Sequence, residues 1–402
     1  MVVGASLAGL WACESLRGGG YSGHITLIGA EPHHPYDRPP LSKALLKGDM
    51  EQERILLRKP DELAKLDLDL RLGNTAVALN AEERTVTLLS GEAVAAEGVI
   101  VATGSAPRPL PGQPDLDGVT MLRTLDDSLA LRRRLEDQQR VVVIGAGFIG
   151  LEVAATASQT GCVVTVLEGA PAPMMRGLGA EMGEIVARVH ARNGVDVRCS
   201  VQVAAIEGDG ARVTGVRLGS GEVVAADVVV VGIGVSPATE WLAGSGLEIR
   251  DGIVCNGSLR AAPGIYAAGD CARWVNILFG EAGEEMRVEH WTNAAEQGSA
   301  AAKNLLAELA GEESTPYAPV PFFWSDQFDS RIQFVGRAHG DDEVRVILGD
   351  VDEKFVAMYG HEGRLRGVLG VGMPKPVMRM RKLITDKASW DAAVTYAAAV
   401  AQ

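Results

Sequence analysis

Five cysteines stand in the 402 residues, at positions 13, 162, 199, 255 and 271, and no two of them form a CxxC or CxxxxC pair. That spacing excludes a disulfide framework and a redox-active dithiol, and it fits a reduced, cytoplasmic protein. Long apolar runs are missing as well. The longest, Val228 to Val235, is the size of a strand, far short of the ~18–20 residues that cross a bilayer. The N-terminus has no basic stretch ahead of an apolar one, so no secretory leader is expected. Basic residues are few: 38 Lys and Arg face 52 Asp and Glu, a net charge of −14. A nucleic-acid partner, which needs a basic footprint, is therefore not expected. The seven histidines show no metal-ligand spacing. His33 and His34 are adjacent and would point to opposite sides of an extended segment, so no metal site is expected.

Hydrophobic residues, in contrast, make up 47% of the chain, and glycine is abundant at 48 residues. The length allows two or three domains. The most informative stretch is Val141-Val-Val-Ile-Gly-Ala-Gly-Phe-Ile-Gly-Leu-Glu152. Four β-branched residues run into a glycine-rich turn, and a helix is expected over Leu151 to Ser158. Gly145 permits the tight turn, Gly147 lets a pyrophosphate approach the backbone, and Gly150 lets the helix pack on its strand. The helix N-terminus offers free N–H groups to phosphate. A second strand, Val163 to Leu167, ends on Glu168, where a carboxylate can bind the hydroxyls of an adenosine ribose.

The chain opens with a second copy, Met1-Val-Val-Gly-Ala-Ser-Leu-Ala-Gly-Leu10, with Ser6 at the middle glycine position. A helix over Leu7 to Arg17, a strand over His24 to Ile28 and an acid, Glu31, complete the unit. Two dinucleotide units in one chain suggest a flavin and a nicotinamide. Two more strands end in small residues, Gly98-Val-Ile-Val-Ala-Thr-Gly104 and Gly264-Ile-Tyr-Ala-Ala-Gly-Asp270. Thr103 and Gly104 would leave room for a cofactor at the sheet edge, and Asp270 could accept a bond from a ribityl hydroxyl. Pro32 to Lys43 carries four prolines and is expected to be extended rather than helical. Its Arg38 and Lys43 could meet phosphate or flavin.

These landmarks predict an α/β protein. A first dinucleotide domain takes residues 1–108 and 238–314, and a second takes 109–237 with strands at Val197–Ala205, Val213–Leu218 and Asp227–Val231. A C-terminal α+β domain takes 315–402, with strands at Arg331–Val335, Val344–Leu348, Lys354–Tyr359 and Arg364–Gly370 and a last helix over Trp390 to Ala401.

Gly4-Ala-Ser-Leu-Ala-Gly9, Pro35-Tyr-Asp-Arg-Pro-Pro-Leu-Ser-Lys43, Ala102-Thr-Gly104, Gly145 to Glu152, Ala268-Gly-Asp270 and Phe323-Trp-Ser-Asp-Gln327 together resemble the FAD-dependent ferredoxin reductases of oxygenase systems. This is the putidaredoxin reductase type, with apoptosis-inducing factor as a distant relative. The resemblance spans almost the whole chain. It implies a glutathione-reductase-like pair of Rossmann-type domains binding FAD and NADH. It implies that Gly4, Ser6, Ala8 and Gly9 hold the FAD pyrophosphate and Glu31 its ribose. Arg38, Lys43, Val77, Arg123, Asp270 and Trp291 would line the rest. Gly147, Ile149, Glu168 and Gly232, Ile233 and Gly234 would hold the nicotinamide dinucleotide, with Glu289 beside the nicotinamide and Trp324 near the flavin ring.

Lys43 and Glu152 are expected as a pair near the reacting face of the flavin, where a lysine stabilises added electron density and a carboxylate keeps it charged. With no cysteine pair in the early region, electrons would go singly to a [2Fe–2S] ferredoxin rather than to a disulfide. NADH is expected over NADPH because Glu168 would repel a 2′-phosphate; Arg176 is the next arginine downstream. Such ferredoxins tend to be acidic, so a basic patch is expected, from Arg54, Arg58 and Lys59 or from Lys375, Arg379, Arg381 and Lys382. The alternatives are an NADH oxidase or a redox-sensing flavoprotein.

Overall fold

The computed structural model describes residues 1–135, 138–279 and 283–400. They divide into two compact units. The first comprises Met1–Asp37, Ile55–Ala106 and Ser236–Pro321; the second comprises Arg38–Arg54, Pro107–Val235 and Phe322–Gln402.

The first unit is built on a six-stranded sheet in the order Arg260–Ala262, Ile265–Ala267, Val99–Val101, Val2–Val3, Ile25–Gly29, Leu68–Leu72. All neighbours run parallel except the edge pair Arg260–Ala262 and Ile265–Ala267. Val2 lies opposite both Leu27 and Ile100, so the opening strand is central although it is only two residues long. It is fully buried. Parallel strands buried on both faces read as continuous apolar runs, as Ile25–Gly29 and Val99–Val101 do. Helix Leu7–Gly18 follows the opening strand and packs on helix Trp291–Ala310. Their close approach needs small residues: a Cβ on Gly298 would fall 2.2 Å from the Ala8 carbonyl oxygen.

The second unit repeats the design. Its parallel sheet runs Asp196–Arg198, Val163–Leu167, Arg140–Ile144, Val228–Val231, Val119–Thr120. Val141 to Ile144 are each 3% exposed or less, and each such side chain contributes roughly 1.5–3 kcal/mol by burial. Helices Phe148–Gln159 and Met175–Arg192 follow strands Arg140–Ile144 and Val163–Leu167 in sequence. A five-stranded antiparallel sheet completes the unit, in the order Phe322–Gln327, Ser330–Gly336, Arg364–Val371, Phe355–His361, Glu343–Gly349. One continuous apolar core joins the two sheets, from Val143 and Val166 through Met182 and Ile185 to Phe334, Phe355 and Tyr359.

The structure corrects several expectations. Val197–Ala205 is not one strand. Asp196–Arg198 edges the parallel sheet, and Val203–Gly208 belongs to a separate antiparallel sheet. Ser200, at φ +57°, breaks the run between them. The Pro32–Lys43 segment is not wholly extended: Pro39–Ser42 forms a helical turn and Ala44–Lys47 a short helix ended by left-handed Gly48. Proline suits the first turn of a helix, where its missing N–H would be unsatisfied anyway. The helix expected from Leu151 begins at Phe148. The last helix runs Trp390–Val400; Ala401 lies outside the described residues.

Candidate functional site

In the first unit, the opening strand delivers the chain into a turn that only glycine can make. Gly4 has φ +119°, and a Cβ there would sit 2.1 Å from the Ala102 carbonyl oxygen; one on Gly9 would sit 1.9 Å from the Gly4 carbonyl oxygen. Ser6 caps helix Leu7–Gly18 in an extended conformation, and its hydroxyl makes no capping bond. Ala8 is buried, within van der Waals reach of a Cβ built on Gly269. Around this turn, Glu31 accepts from the Tyr36 hydroxyl at 2.6 Å, Asp270 from the Ser105 hydroxyl at 2.7 Å, and Thr103 donates to the Ala238 carbonyl at 2.8 Å. The Trp291 indole donates to Asp37 at 2.7 Å, and Glu289 pairs with Arg287 at 2.7 Å. Val77 lies on the separate strand Ala76–Asn80 and is 39% exposed.

The sequence reading missed Gln297 and Ser105 here. Gln297 is fully buried, and its carbonyl oxygen takes the Gly269 N–H at 2.8 Å. Its amide Nε2 has no hydrogen-bond partner among the described residues. A buried donor left open is costly. Together with the glycine-shaped turn, it fits a bound dinucleotide.

The second unit carries the same cradle in fuller form. Gly145 has φ +102°, and a Cβ on Gly145 or Gly150 would fall 2.4 or 2.2 Å from a backbone oxygen. Gly147, in contrast, meets nothing within 4 Å, nor does Gly234. The structure thus requires two of the motif's glycines for packing and leaves the middle one facing open space, where a pyrophosphate would lie. The Glu168 carboxylate accepts from the backbone N–H of Ala146 at 2.6 Å and of Ala170 at 2.8 Å. Ile149, half exposed at 48%, opens the following helix. Gly232 and Ile233 face the turn: the Gly232 and Ile233 backbones are what a Gly145 Cβ would strike.

Lys43 and Glu152 also meet within the second unit. Lys43 Nζ stands 2.6 Å from a Glu152 carboxylate oxygen, with side-chain exposures of 19% and 4%. The same oxygen accepts from the Ser42 hydroxyl at 2.5 Å, and the other accepts from the Ser325 hydroxyl at 2.6 Å. Gln327 continues the chain, donating to Ser325 at 3.0 Å and facing His190 Nε2 with its carbonyl oxygen at 2.9 Å. Burial pushes the His190 pKa down. The ring is therefore neutral and donates through Nε2, since the Gln327 oxygen can only accept. Sequence spacing could not reveal this chain, which draws on four separate segments. Arg38 donates to the Arg123 carbonyl at 2.6 Å, which fixes both beside the Pro39 turn. Trp324 stacks with Phe322 at 6.0 Å and lies under the Arg331 guanidinium at 5.7 Å.

The cysteines offer no dithiol. All five are free, and four are buried. Burial pushes the Cys13 thiol up to about 12, and it raises Cys271 and Cys255 too, so these thiols are protonated and inert.

The pyridine nucleotide-disulphide oxidoreductase model matches residues 1–298, and a reductase C-terminal model matches residues 322–401. The chain belongs to this family of oxidoreductases. It is 40% identical to rhodocoxin reductase of Rhodococcus erythropolis over 391 residues, covering 96% of this chain and 89% of the relative. Putidaredoxin reductase of Pseudomonas putida is 35% identical, with 96% and 92% covered. A solved covalent complex of putidaredoxin reductase with putidaredoxin contains a chain that superposes with a TM-score of 0.91 at 33% identity, covering 100% of this chain and 98% of that one. The oxidoreductase is thus of the ferredoxin reductase kind, with FAD and NAD(P)H as its cofactors.

Proposed function

We propose that this oxidoreductase takes hydride from NADH into FAD and passes the electrons singly to a [2Fe–2S] ferredoxin that feeds an oxygenase. The observation that carries the reading is the pair of glycine-shaped cradles in one chain, at Gly4–Gly9 and Gly145–Gly150. FAD supplies the step from two-electron to one-electron chemistry. The chain's residues bind and orient the two dinucleotides and hold charge near them.

In this reading FAD lies against Gly4, Ser6, Gly9, Glu31, Asp270 and Trp291, and NADH against Gly147, Ile149, Glu168 and Gly232 to Gly234. The first domain takes residues 1–108 and 238–314, the second 109–237, and the C-terminal domain 315–402. The fixed negative charge of Glu168 supports NADH over NADPH. Lys43, ion-paired with Glu152 at 2.6 Å, acts at the flavin in this reading. Free cysteines support a cytoplasmic location, and no described helix is long and apolar enough to cross a membrane.

The ferredoxin would meet the basic face of helix Pro374–Thr385. Val377, Met380 and Ile384 bury one side of that helix, which leaves Lys375, Arg379 and Lys382 exposed with Met378 among them. Arg58, the earlier candidate, is engaged by Glu14 at 2.6 Å and lies over the Trp11 ring at 4.8 Å.

The test is NADH-driven cytochrome c reduction by the flavin-loaded protein, with and without an acidic [2Fe–2S] ferredoxin. A large ferredoxin-dependent rate is expected. Flavin reduced by NADH at full speed with no response to any ferredoxin would favour the oxidase reading.

A further inference from the structure

The C-terminal sheet brings together three residues that the functional reading does not use. The loop after strand Ser330–Gly336 carries His339 and Asp342, and strand Phe355–His361 ends on His361. The antiparallel register sets Glu343 opposite Gly360, so Asp342 and His361 emerge side by side at one end of the sheet. One donor atom from each of His339, Asp342 and His361 lies within 4.8 Å of the other two.

From this geometry we infer that His339, Asp342 and His361 form a binding site for one divalent transition-metal ion of the zinc type. Two imidazoles and one carboxylate are a common ligand set for such ions, with bonds near ~2.0–2.2 Å. Ligand atoms around a tetrahedral ion are then about 3.4 Å apart. Asp342 Oδ1 and His361 Nδ1 already stand 3.3 Å apart. His339 is exposed.

The carboxylate carries a second, independent sign. The Asp342 side chain is 1% exposed. Its Oδ2 is fixed by the His339 backbone N–H at 2.6 Å. Its Oδ1 is buried and makes no hydrogen bond among the described residues. His361 is near it in distance, but not in hydrogen-bond geometry. A buried carboxylate oxygen without a donor is costly, and a coordinated cation removes that cost. The two rings stand 4.4 Å apart, centroid to centroid, tilted by 45°. Asp341, Glu343 and Glu362 flank the ligands in sequence. Three protein ligands leave a position for water, so the site clips the loop to the strand end without closing around the ion.

The test uses chelator-treated, flavin-loaded protein titrated with ZnCl2 in a calorimeter, with Cu2+ electron paramagnetic resonance as a second readout. One Zn2+ per chain is expected, and the Cu2+ spectrum should show two coordinated nitrogens. His339→Ala removes an exposed ring, so the variant should fold, with unchanged flavin absorbance. It should bind at least about tenfold more weakly and lose one nitrogen from the spectrum. His24→Ala, on the other unit, should leave both readouts alone. No saturable Zn2+ binding, or a His339→Ala variant that binds as the parent does, overturns the inference.

Discussion

The buried carboxylate of Glu152 should respond very unequally to loss of its partners. It holds three donors, Lys43, Ser42 and Ser325, at 2.5–2.6 Å and is 4% exposed. Lys43→Met leaves that charge with two hydroxyls and no cation. Removing one partner of a buried pair costs about 3–5 kcal/mol, because the charge left behind cannot reach water. Glu152→Gln leaves the opposite remainder. Lys43 keeps the Pro39 carbonyl at 3.1 Å and the Ser42 hydroxyl at 3.4 Å, and it is 19% exposed. That loss should be nearer about 1–2 kcal/mol. The double variant removes both charges together and should be more stable than Lys43→Met alone, a coupling of roughly 2–3 kcal/mol. Urea unfolding of the flavin-loaded proteins, followed by far-UV dichroism and flavin fluorescence together, measures it. Equal costs for the two single variants, or a double variant equal to their sum, would refute the reasoning. The same Lys43→Met protein, examined by stopped flow, should show slowed flavin reduction by NADH if the lysine acts at the flavin.

Gly147→Ala should leave stability within about 0.5 kcal/mol, because its Cβ enters open space, yet raise the KM for NADH; Gly150→Ala should destabilise the protein, because its Cβ would fall 2.2 Å from the Gly145 carbonyl oxygen. Thermal melts and steady-state kinetics of the pair separate the two roles. Lys375→Glu with Arg379→Glu should lower ferredoxin-dependent turnover and its salt sensitivity while sparing NADH-to-flavin reduction; an equal fall in both rates would remove helix Pro374–Thr385 from the docking surface. Desolvation pushes the pKa of His290 down to about 4. The unfolded chain therefore binds the proton first as pH falls below ~6.5, and folding should lose about 2 kcal/mol between pH 7 and pH 5. His290→Asn should remove that part of the slope, read as the difference between the two unfolding profiles.

What could be read from the sequence was what the backbone itself dictates. Gly4, Gly9, Gly145 and Gly150 are legible because a side chain at each would collide with a backbone oxygen, and such constraints leave a fixed local pattern. The strand ends at Gly104 and Asp270 are legible for a related reason: small residues must follow the buried runs Val99–Val101 and Ile265–Ala267. Lys43 and Glu152 could be paired only through the resemblance, since nothing in their spacing brings them together. Ser325 and Gln327 lay within a motif that marked the resemblance, but neither their roles nor that of His190 could be read from spacing. Only the packing of helix Phe148–Gln159 on strand Phe322–Gln327 turns them into a hydrogen-bonded chain. The helix over Met175–Arg192 was obscured by its own irregularity, a break at Gly179 with φ +78°. His339 and His361 were dismissed on linear spacing, whereas sheet register sets contacts across hairpins regardless of distance along the chain.

The two dinucleotide cradles share one backbone solution, and the side chains around them carry different electrostatics. In the second unit, both oxygens of Glu168 are taken up by backbone N–H groups at the turn and beyond it. The acid that would meet the ribose is thus also what holds the Ala146 amide. Its charge is fixed in place before any ligand arrives, and a group held this way loses little conformational entropy on binding. In the first unit, Glu31 is held by a neutral phenol, Tyr36, at the end of a proline-rich segment. Ser6 keeps an uncommitted hydroxyl where the second unit has bare backbone. A cradle with fixed charge and an open middle glycine suits a cofactor that must come and go with discrimination. One with an extra donor, and with the buried Gln297 amide open behind it, suits a cofactor that stays. Under the proposed assignment, the division of labour between a diffusing nicotinamide and a resident flavin would rest on these few side chains, on top of a backbone that does not distinguish them.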